Sequence, residues 1–268
     1  MLPRTIRGCN TGEPVCSSDP PVALVIASSF RYYRLRFRTK TRSKLPVATT
    51  SKRPLPDDSF EIALRAEGYR AAAGVDEVGR GTLAGPVVAG AVILPVELPA
   101  DGLELIRDSK QLTPDQRNRA AAYIEKYAVG YACGAADAAE IDRFGIVAAT
   151  RNAMARAIDL LEPAADHLLI DALELPGIPL PQTSLIKGDA RCRSIAAASI
   201  IAKVTRDRLM ATVWEKRFPG YGFAAHKGYG TAIHLEALRE LGPMSGHRLT
   251  FASVREAVAI YGTPVRSI

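Results

Sequence analysis

Beyond residue 58 the apolar positions of this 268-residue chain fall into the periods that folded elements produce. Residues 59–67 have the spacing of a short amphipathic helix. Residues 71–76 read as a strand, and 87–94, β-branched and without polar interruption, as a second. A turn falls at 99–102, and Thr113 with Pro114 behind it opens a helix running to about Lys126. A third strand follows at 127–135, then helix over 138–161 with a break near Gly145. Short strands at 167–171 and 183–186 precede a long Ala-rich helix, 192–216, and further helices at 232–241 and 251–260. Consecutive strands followed by alternating strand and helix predict an α/β fold: a mixed sheet flanked by helices, with a helical C-terminal part. There is no internal repeat.

The first 56 residues differ in kind. They are rich in Pro, Ser, Thr and Arg, without sustained period, and hold 11 Lys/Arg against two acids, a net charge of +9. The remaining residues hold 24 basic and 26 acidic side chains, so the overall +7 says little about the folded body. The expected division is therefore a basic, disordered extension over 1–56 and one domain over 57–268. Within the extension, residues 30–40 (FRYYRLRFRTK) interleave aromatic and basic side chains. Three readings stay open: a nucleic-acid-binding arm, an Arg-rich targeting peptide, or an extension without a role, including one created by an early start codon.

Composition narrows the chemistry. Cys9, Cys16, Cys133 and Cys192 are scattered, which fits a reducing compartment and no structural zinc. The four histidines lack HExxH spacing. No apolar run is long enough to span a bilayer.

Two adjacent carboxylates, Asp76 and Glu77, close the first strand and lead into Gly79-Arg80-Gly81. Neighbouring anions at the edge of a core repel each other and need a compensating cation, of which a divalent metal is the simplest. Alone, the dipeptide also fits a strand leaving into a solvated acidic turn. Asp171 closes the strand 167–171 in the same way, and Asp189 follows 183–186 within Lys187-Gly188-Asp189. Strand ends are where an α/β sheet builds ligand sites, although Asp189 also fits an N-cap for the long helix. Asp108 and Asp207 are weaker candidates, Asp207 being expected to pair with Lys203. Four carboxylates without His or Cys ligands suit Mg²⁺ or Mn²⁺. A pair of such ions about 3.5–4 Å apart supports phosphoryl chemistry.

Gly79, Gly81 and Ala84 satisfy the GxGxxA spacing of a dinucleotide fingerprint, but Gly85-Pro86 and a β-branched run follow where that fingerprint needs a helix. A turn whose bare backbone approaches a sugar and phosphate, with Arg80 adding charge, fits better. Tyr229, between two glycines in HKGYGT, is either a ring presented for stacking on sugar or base, or one packed beneath its loop.

Together these motifs resemble the type 2 ribonucleases H, most closely the bacterial ribonuclease HII family. The matches are GVDEVGRG with LAGPVVAGAVIL after it, DSKQLT, LLIDAL around Asp171, KGDARCRSIAAASIIAKVTRDRLM from Lys187, HKGYGT and HRLTFASV, in order over about residues 70–255. Arg80 favours the HII type over ribonuclease HIII, which typically has Gly-Thr-Gly in the turn and an added N-terminal domain. Thr82 stands where the family often has proline, and HRLTFASV replaces the commoner HRRSFAPV; small effects on loop rigidity are expected.

The resemblance implies an RNase H-like fold, hydrolysis of the RNA strand of RNA–DNA hybrids, and incision 5′ of ribonucleotides embedded in duplex DNA, leaving 3′-hydroxyl and 5′-phosphate ends. It implies that Asp76, Glu77, Asp171 and Asp189 are the catalytic carboxylates holding two Mn²⁺ or Mg²⁺ ions, Asp76 bridging both. Gly79, Arg80 and Gly81 would grip the 2′-hydroxyl and phosphate at an RNA–DNA junction, with Tyr229 against the ribose. Lys110, Lys187 and Lys227 are further candidates for phosphate contact. A cytoplasmic monomer without membrane association is expected. Two alternatives are a hybrid-binding protein that has lost catalysis and a nucleotide-dependent oxidoreductase. Four intact carboxylates weigh against the former and Pro86 against the latter.

Overall fold

The structure, a computed structural model, describes residues 22–26, 33–35 and 55–265. The proposed extension 1–56 and its aromatic–basic run 30–40 lie largely outside the described residues. In chain order the elements are β1 (Val22–Ile26), β2 (Tyr33–Leu35), α1 (Ser59–Ala66), β3 (Ala72–Val78) and β4 (Val87–Ile93). Next come α2 (Pro114–Tyr127), β5 (Gly130–Ala136), α3 (Ala138–Phe144), α4 (Ile146–Asp159), β6 (His167–Asp171) and β7 (Gln182–Leu185). The chain closes with α5 (Arg193–Leu209), α6 (Glu215–Arg217), α7 (Phe223–His226), α8 (Ala232–Leu241) and α9 (Ala252–Tyr261). Among the described residues no helix is long and apolar enough to cross a membrane.

The strands form one mixed sheet in the order β2-β1-β5-β4-β3-β6-β7. β3 and β4 pair antiparallel, as do β4 and β5, while β6 runs parallel to β3 and β7 parallel to β6. The stretch 22–26 adds a parallel strand to β5, pairing Leu24 with Cys133. Every residue of β4 is buried, which explains its uninterrupted apolar run: both faces of this central strand are covered. Val88 and Val92 face a core built with α2 and α5, while Val87, Ala89, Ala91 and Ile93 face one built with α3 and α4.

Glycines let the helices lie directly on the sheet. A Cβ on Gly74 of β3 would come within 2.0 Å of the Ser194 carbonyl carbon, and one on Gly90 of β4 within 2.4 Å of the Ala198 oxygen. The alanines of α5 complete this close approach. On the opposite face Gly134 of β5 meets α4 in the same way, 2.2 Å from the Ala153 oxygen.

Helix ends follow their local signals. Thr113 and Gln116 form a capping box at α2, as Asp137 and Glu140 do at α3. Gly145, at φ +81°, ends α3 and starts α4, the break expected there. The start of α5 is different, because Cys192 at its N-cap makes no side-chain cap. Glu61 of α1 does so from across the fold, its Oε1 accepting from Ser194 N at 2.8 Å, so Asp189 is free of the capping role. The helix read over 192–216 leaves α geometry at Met210–Trp214, a wide π-helical segment, before α6.

Candidate active site

Three parallel strands end together. The last paired residues of β3 and β6 are Val75 and Ile170, so Asp76 and Asp171 follow side by side where the two strands leave the sheet. Asp171 is itself paired with Leu185 at the end of β7, and the turn bearing Asp189 begins two residues later. Gly188 N donates to Asp171 Oδ1 at 2.7 Å, joining the two loops. On β3 side chains alternate between faces, so Asp76 follows Gly74 toward α5 and Glu77 points the other way.

The resulting cluster is electrostatically tense. Asp76 is buried, and burial first, then the charges of Glu77 and Asp171, push its carboxyl well above the ordinary value; the Ser199 hydroxyl and the Glu77 amide, which donates at 2.7 Å, act against this. Burial also raises Glu77, opposed by Arg80, whose Nη1 lies 3.1 Å from Glu77 Oε1. Asp189 is raised by burial, then by Asp108 and Asp171. Asp108, set aside on sequence, therefore lies close enough to act on the site, although its Oδ1 accepts from Lys110 N. Asp207 pairs with Lys203 at 2.9 Å, as expected.

Among the described residues no three Asp, Glu, His or Cys side chains converge closely enough to hold an ion as they stand. Glu77 Oε2, however, is buried without any hydrogen-bond partner. An orphaned anionic oxygen beside carboxyls that repel one another is a donor set that fits a hard divalent cation.

The Gly79-Arg80-Gly81 turn is held from behind by two fully buried arginines that sequence reasoning missed. Arg248 donates to the carbonyls of Gly79, Arg80 and Gly85. Arg206 donates to those of Ala84, Pro86 and Lys227 and to the Thr82 hydroxyl. Gly79 has φ +89°, and a Cβ there would lie 2.3 Å from Arg206 Nε, so no other residue fits. Gly81 has open space where its Cβ would be, so nothing within the chain requires glycine there. The Thr82 hydroxyl donates to the Gly79 carbonyl while accepting from Arg206, bracing the turn where proline is commoner. After Pro86 the chain enters β4, not a helix, which removes the dinucleotide reading. One signal for Arg206 was present: it sits on the apolar stripe Ile195, Ala198, Ala202, Leu209 of α5. Arg248 had none.

Tyr229 is 38% exposed and its ring lies 5.4 Å from Lys203 Nζ and 5.9 Å from the Arg206 guanidinium carbon. The ring is thus exposed and not packed beneath its loop, and Lys203, read on sequence only as the partner of Asp207, lies beside it. Leu83 N donates to Gly228 O at 2.8 Å, so this loop and the Gly79–Gly81 turn form one surface. Lys110 and Lys187 are exposed, with Lys110 near enough to lower Asp189. Lys227 is turned elsewhere, its Nζ donating to the Ala224 carbonyl.

The sequence model of Ribonuclease HII matches residues 73–254, from β3 through the first turn of α9. The chain belongs to the ribonuclease HII family. A Ribonuclease HII from Chloroflexus aggregans is 55% identical over 203 residues, covering 75% of this chain and 95% of the relative. One from Geobacillus kaustophilus is 54% identical, covering 74% and 75%. The fold matches that of ribonuclease H2 from Pyrococcus horikoshii OT3 with a TM-score of 0.61 at 24% identity, over 72% of this chain and 99% of the other. It also matches Bst ribonuclease HIII, solved with Mn²⁺, at a TM-score of 0.55 and 24% identity, over 81% and 78%. Ribonuclease HII enzymes are endoribonucleases, and the ribonuclease H family to which they belong acts on RNA–DNA hybrids with divalent metal.

Proposed function

We propose that this enzyme hydrolyses the RNA strand of RNA–DNA hybrids and incises 5′ of single ribonucleotides in duplex DNA, leaving 3′-hydroxyl and 5′-phosphate ends. The observation that supports this most is the meeting of Asp76, Glu77 and Asp171 at adjacent strand ends, each raising or raised by another's charge. With Asp189 they would hold two Mg²⁺ or Mn²⁺ ions, which supply water activation and charge neutralisation at the scissile phosphate. Asp76, whose carboxyl feels the charges of both Glu77 and Asp171, would be central to that ligand set.

The rest is done by the chain's own groups. The amides of Gly79, Arg80 and Gly81, in a turn whose Gly79 and Arg80 carbonyls are already taken by Arg248, face the junction phosphate and the 2′-hydroxyl. Tyr229 rests on the ribose, rejecting a sugar presented at another angle. Arg80 leaves Glu77 for the phosphate, and Lys110 and Lys187 meet the backbone farther out. Lys227 contributes through its backbone, given its engaged ammonium. The catalytic unit is residues 57–268, with residues 1–56 appended to it.

A duplex with one internal ribonucleotide, incubated with and without Mg²⁺ or Mn²⁺, tests this reading. A metal-dependent nick on the 5′ side, with a 3′-hydroxyl that a polymerase extends, is expected. Absence of metal-dependent product, or equal cutting of all-DNA duplex, would refute it.

A further inference from the structure

Three imidazoles lie buried beneath the loop bearing Tyr229: His226, His234 and His247. The rings of His226 and His234 stack with centres 4.3 Å apart, and His234 Nε2 lies 3.1 Å from His247 Nε2. Phe223, fully buried, packs against all three.

Their backbone partners fix every tautomer. His247 Nδ1 accepts from Met244 N at 3.0 Å, so the proton of its neutral ring is on Nε2 and is donated to His234 Nε2. His234 therefore keeps its own proton on Nδ1, which donates to the Tyr229 carbonyl at 2.9 Å. His226 accepts from Gly228 N through Nδ1 at 3.1 Å and donates from Nε2 to the Tyr221 carbonyl at 2.6 Å. All six ring nitrogens are used once. A second proton on any ring would set one N–H against another. Burial lowers His234 to about 4 and His247 to about 3, so these two rings stay neutral at neutral pH.

We propose that His234, locked as the Nδ1–H tautomer by His247, is a positioning residue that sets Tyr229 against the ribose and thereby contributes to selectivity for a lone ribonucleotide. This rests on the proposed contact of Tyr229 with the sugar. The physical reason is the exposure of the ring: with solvent on much of its surface, its place is set by its backbone. That backbone is tied to imidazoles on both sides, at Gly228 N and Tyr229 O. A lone ribonucleotide offers one 2′-hydroxyl and tolerates little displacement of the ring, whereas a long hybrid offers many registers.

Two substitutions separate the arms of His234. His234→Gln can answer His247 but not the Tyr229 carbonyl; His234→Asn can reach that carbonyl but leaves His247 without its acceptor. We expect H234Q to lose roughly tenfold in kcat/KM on a duplex with one ribonucleotide, with a smaller loss on a long hybrid and substantial recovery in H234N. The double variant H234Q/Y229A should be no slower than Y229A, because the first residue acts through the second. Additive losses, or equal losses on both substrates, would overturn the positioning role. If Y229A is as fast as the wild type, the ribose contact itself fails and the role of His234 fails with it. Should H234Q not fold, H247N, which removes the partner that locks the tautomer, serves in the same comparison.

Discussion

The Arg248 guanidinium donates from Nη2 to the Gly79 carbonyl at 2.6 Å, tying the last motif of the chain to the first. Arg206 makes the matching ties from α5, and both cations are buried. Burial lowers them, Arg206 to about 10 and Arg248 to about 9, the latter also through the charge of Arg206. Both remain charged at neutral pH. Their partners are almost all neutral carbonyls, so the Gly79–Gly81 turn has two positive charges directly behind it. That field suits a phosphate.

Arg248→Ala leaves the Arg80 and Gly85 carbonyls without their donor and the Gly79 carbonyl with the Thr82 hydroxyl alone. The expected loss is about 3 kcal/mol or more in urea unfolding, from buried unsatisfied acceptors. Arg248→Lys keeps the charge but cannot fork between carbonyls, and falls in between.

Asp76→Asn abolishes cleavage yet stabilises the metal-free protein. The folded state holds the Asp76 proton more tightly than the unfolded chain, so ionisation at pH 7 opposes folding. An amide removes that cost, and the thermal midpoint should rise by about 2–8 °C at pH 7. The gain should disappear as pH falls through 3.8, the ordinary aspartate value, where the carboxyl is protonated folded or unfolded.

Arg80→Ala changes metal and substrate binding in opposite senses. Arg80 occupies Glu77 Oε1 through a side chain 42% exposed, so the pair is solvent-screened. Without it, Mn²⁺ binding to the free enzyme should tighten by up to about fivefold, read by calorimetry, while hybrid affinity weakens and loses part of its salt dependence.

The imidazoles predict an acid limb to stability. In the unfolded chain they titrate near 6.5, in the folded protein at about 4 for His234 and about 3 for His247. Between these values the unfolded chain binds more protons. Stability from this source is therefore full above pH 6.5 and falls below it, by about 1.4 kcal/mol per pH unit for each group. Asp76, Glu77 and Asp189 act with the opposite sign, so the histidine part is read by difference. The unfolding free energy of the wild type should drop more steeply from pH 6.5 to 4.5 than that of His247→Gln.

What the sequence disclosed was what neighbouring residues decide. β6 and α8 fall where their patterns predict, and the carboxylates at the ends of β3 and β6 stand together because strand ends and parallel pairing are both local signals. Asp189 was ambiguous because helix capping looks the same from sequence whether the acid comes from the adjoining turn or, as here, from Glu61, 133 residues away. Arg206, Arg248 and the three imidazoles were hidden for a related reason. A polar residue whose partners are backbone carbonyls of a distant loop leaves no pattern of its own, and only the apolar stripe around Arg206 hinted at burial. The strand at 22–26, which pairs with β5 more than a hundred residues on, lies in a segment without sustained period.

Where Gly74 and Gly90 put α5 on the sheet, backbone meets backbone without an intervening layer of side chains. Compressible packing normally absorbs small helix movements; here nothing is available to deform. Any tilt of α5 must therefore displace the strand that bears Asp76, and even a methyl group added by Gly90→Ala would lever the helix outward. Catalytic geometry in this enzyme is thus governed by the stiffness of a seam, and cutting should fail in G90A even if the protein still melts cooperatively.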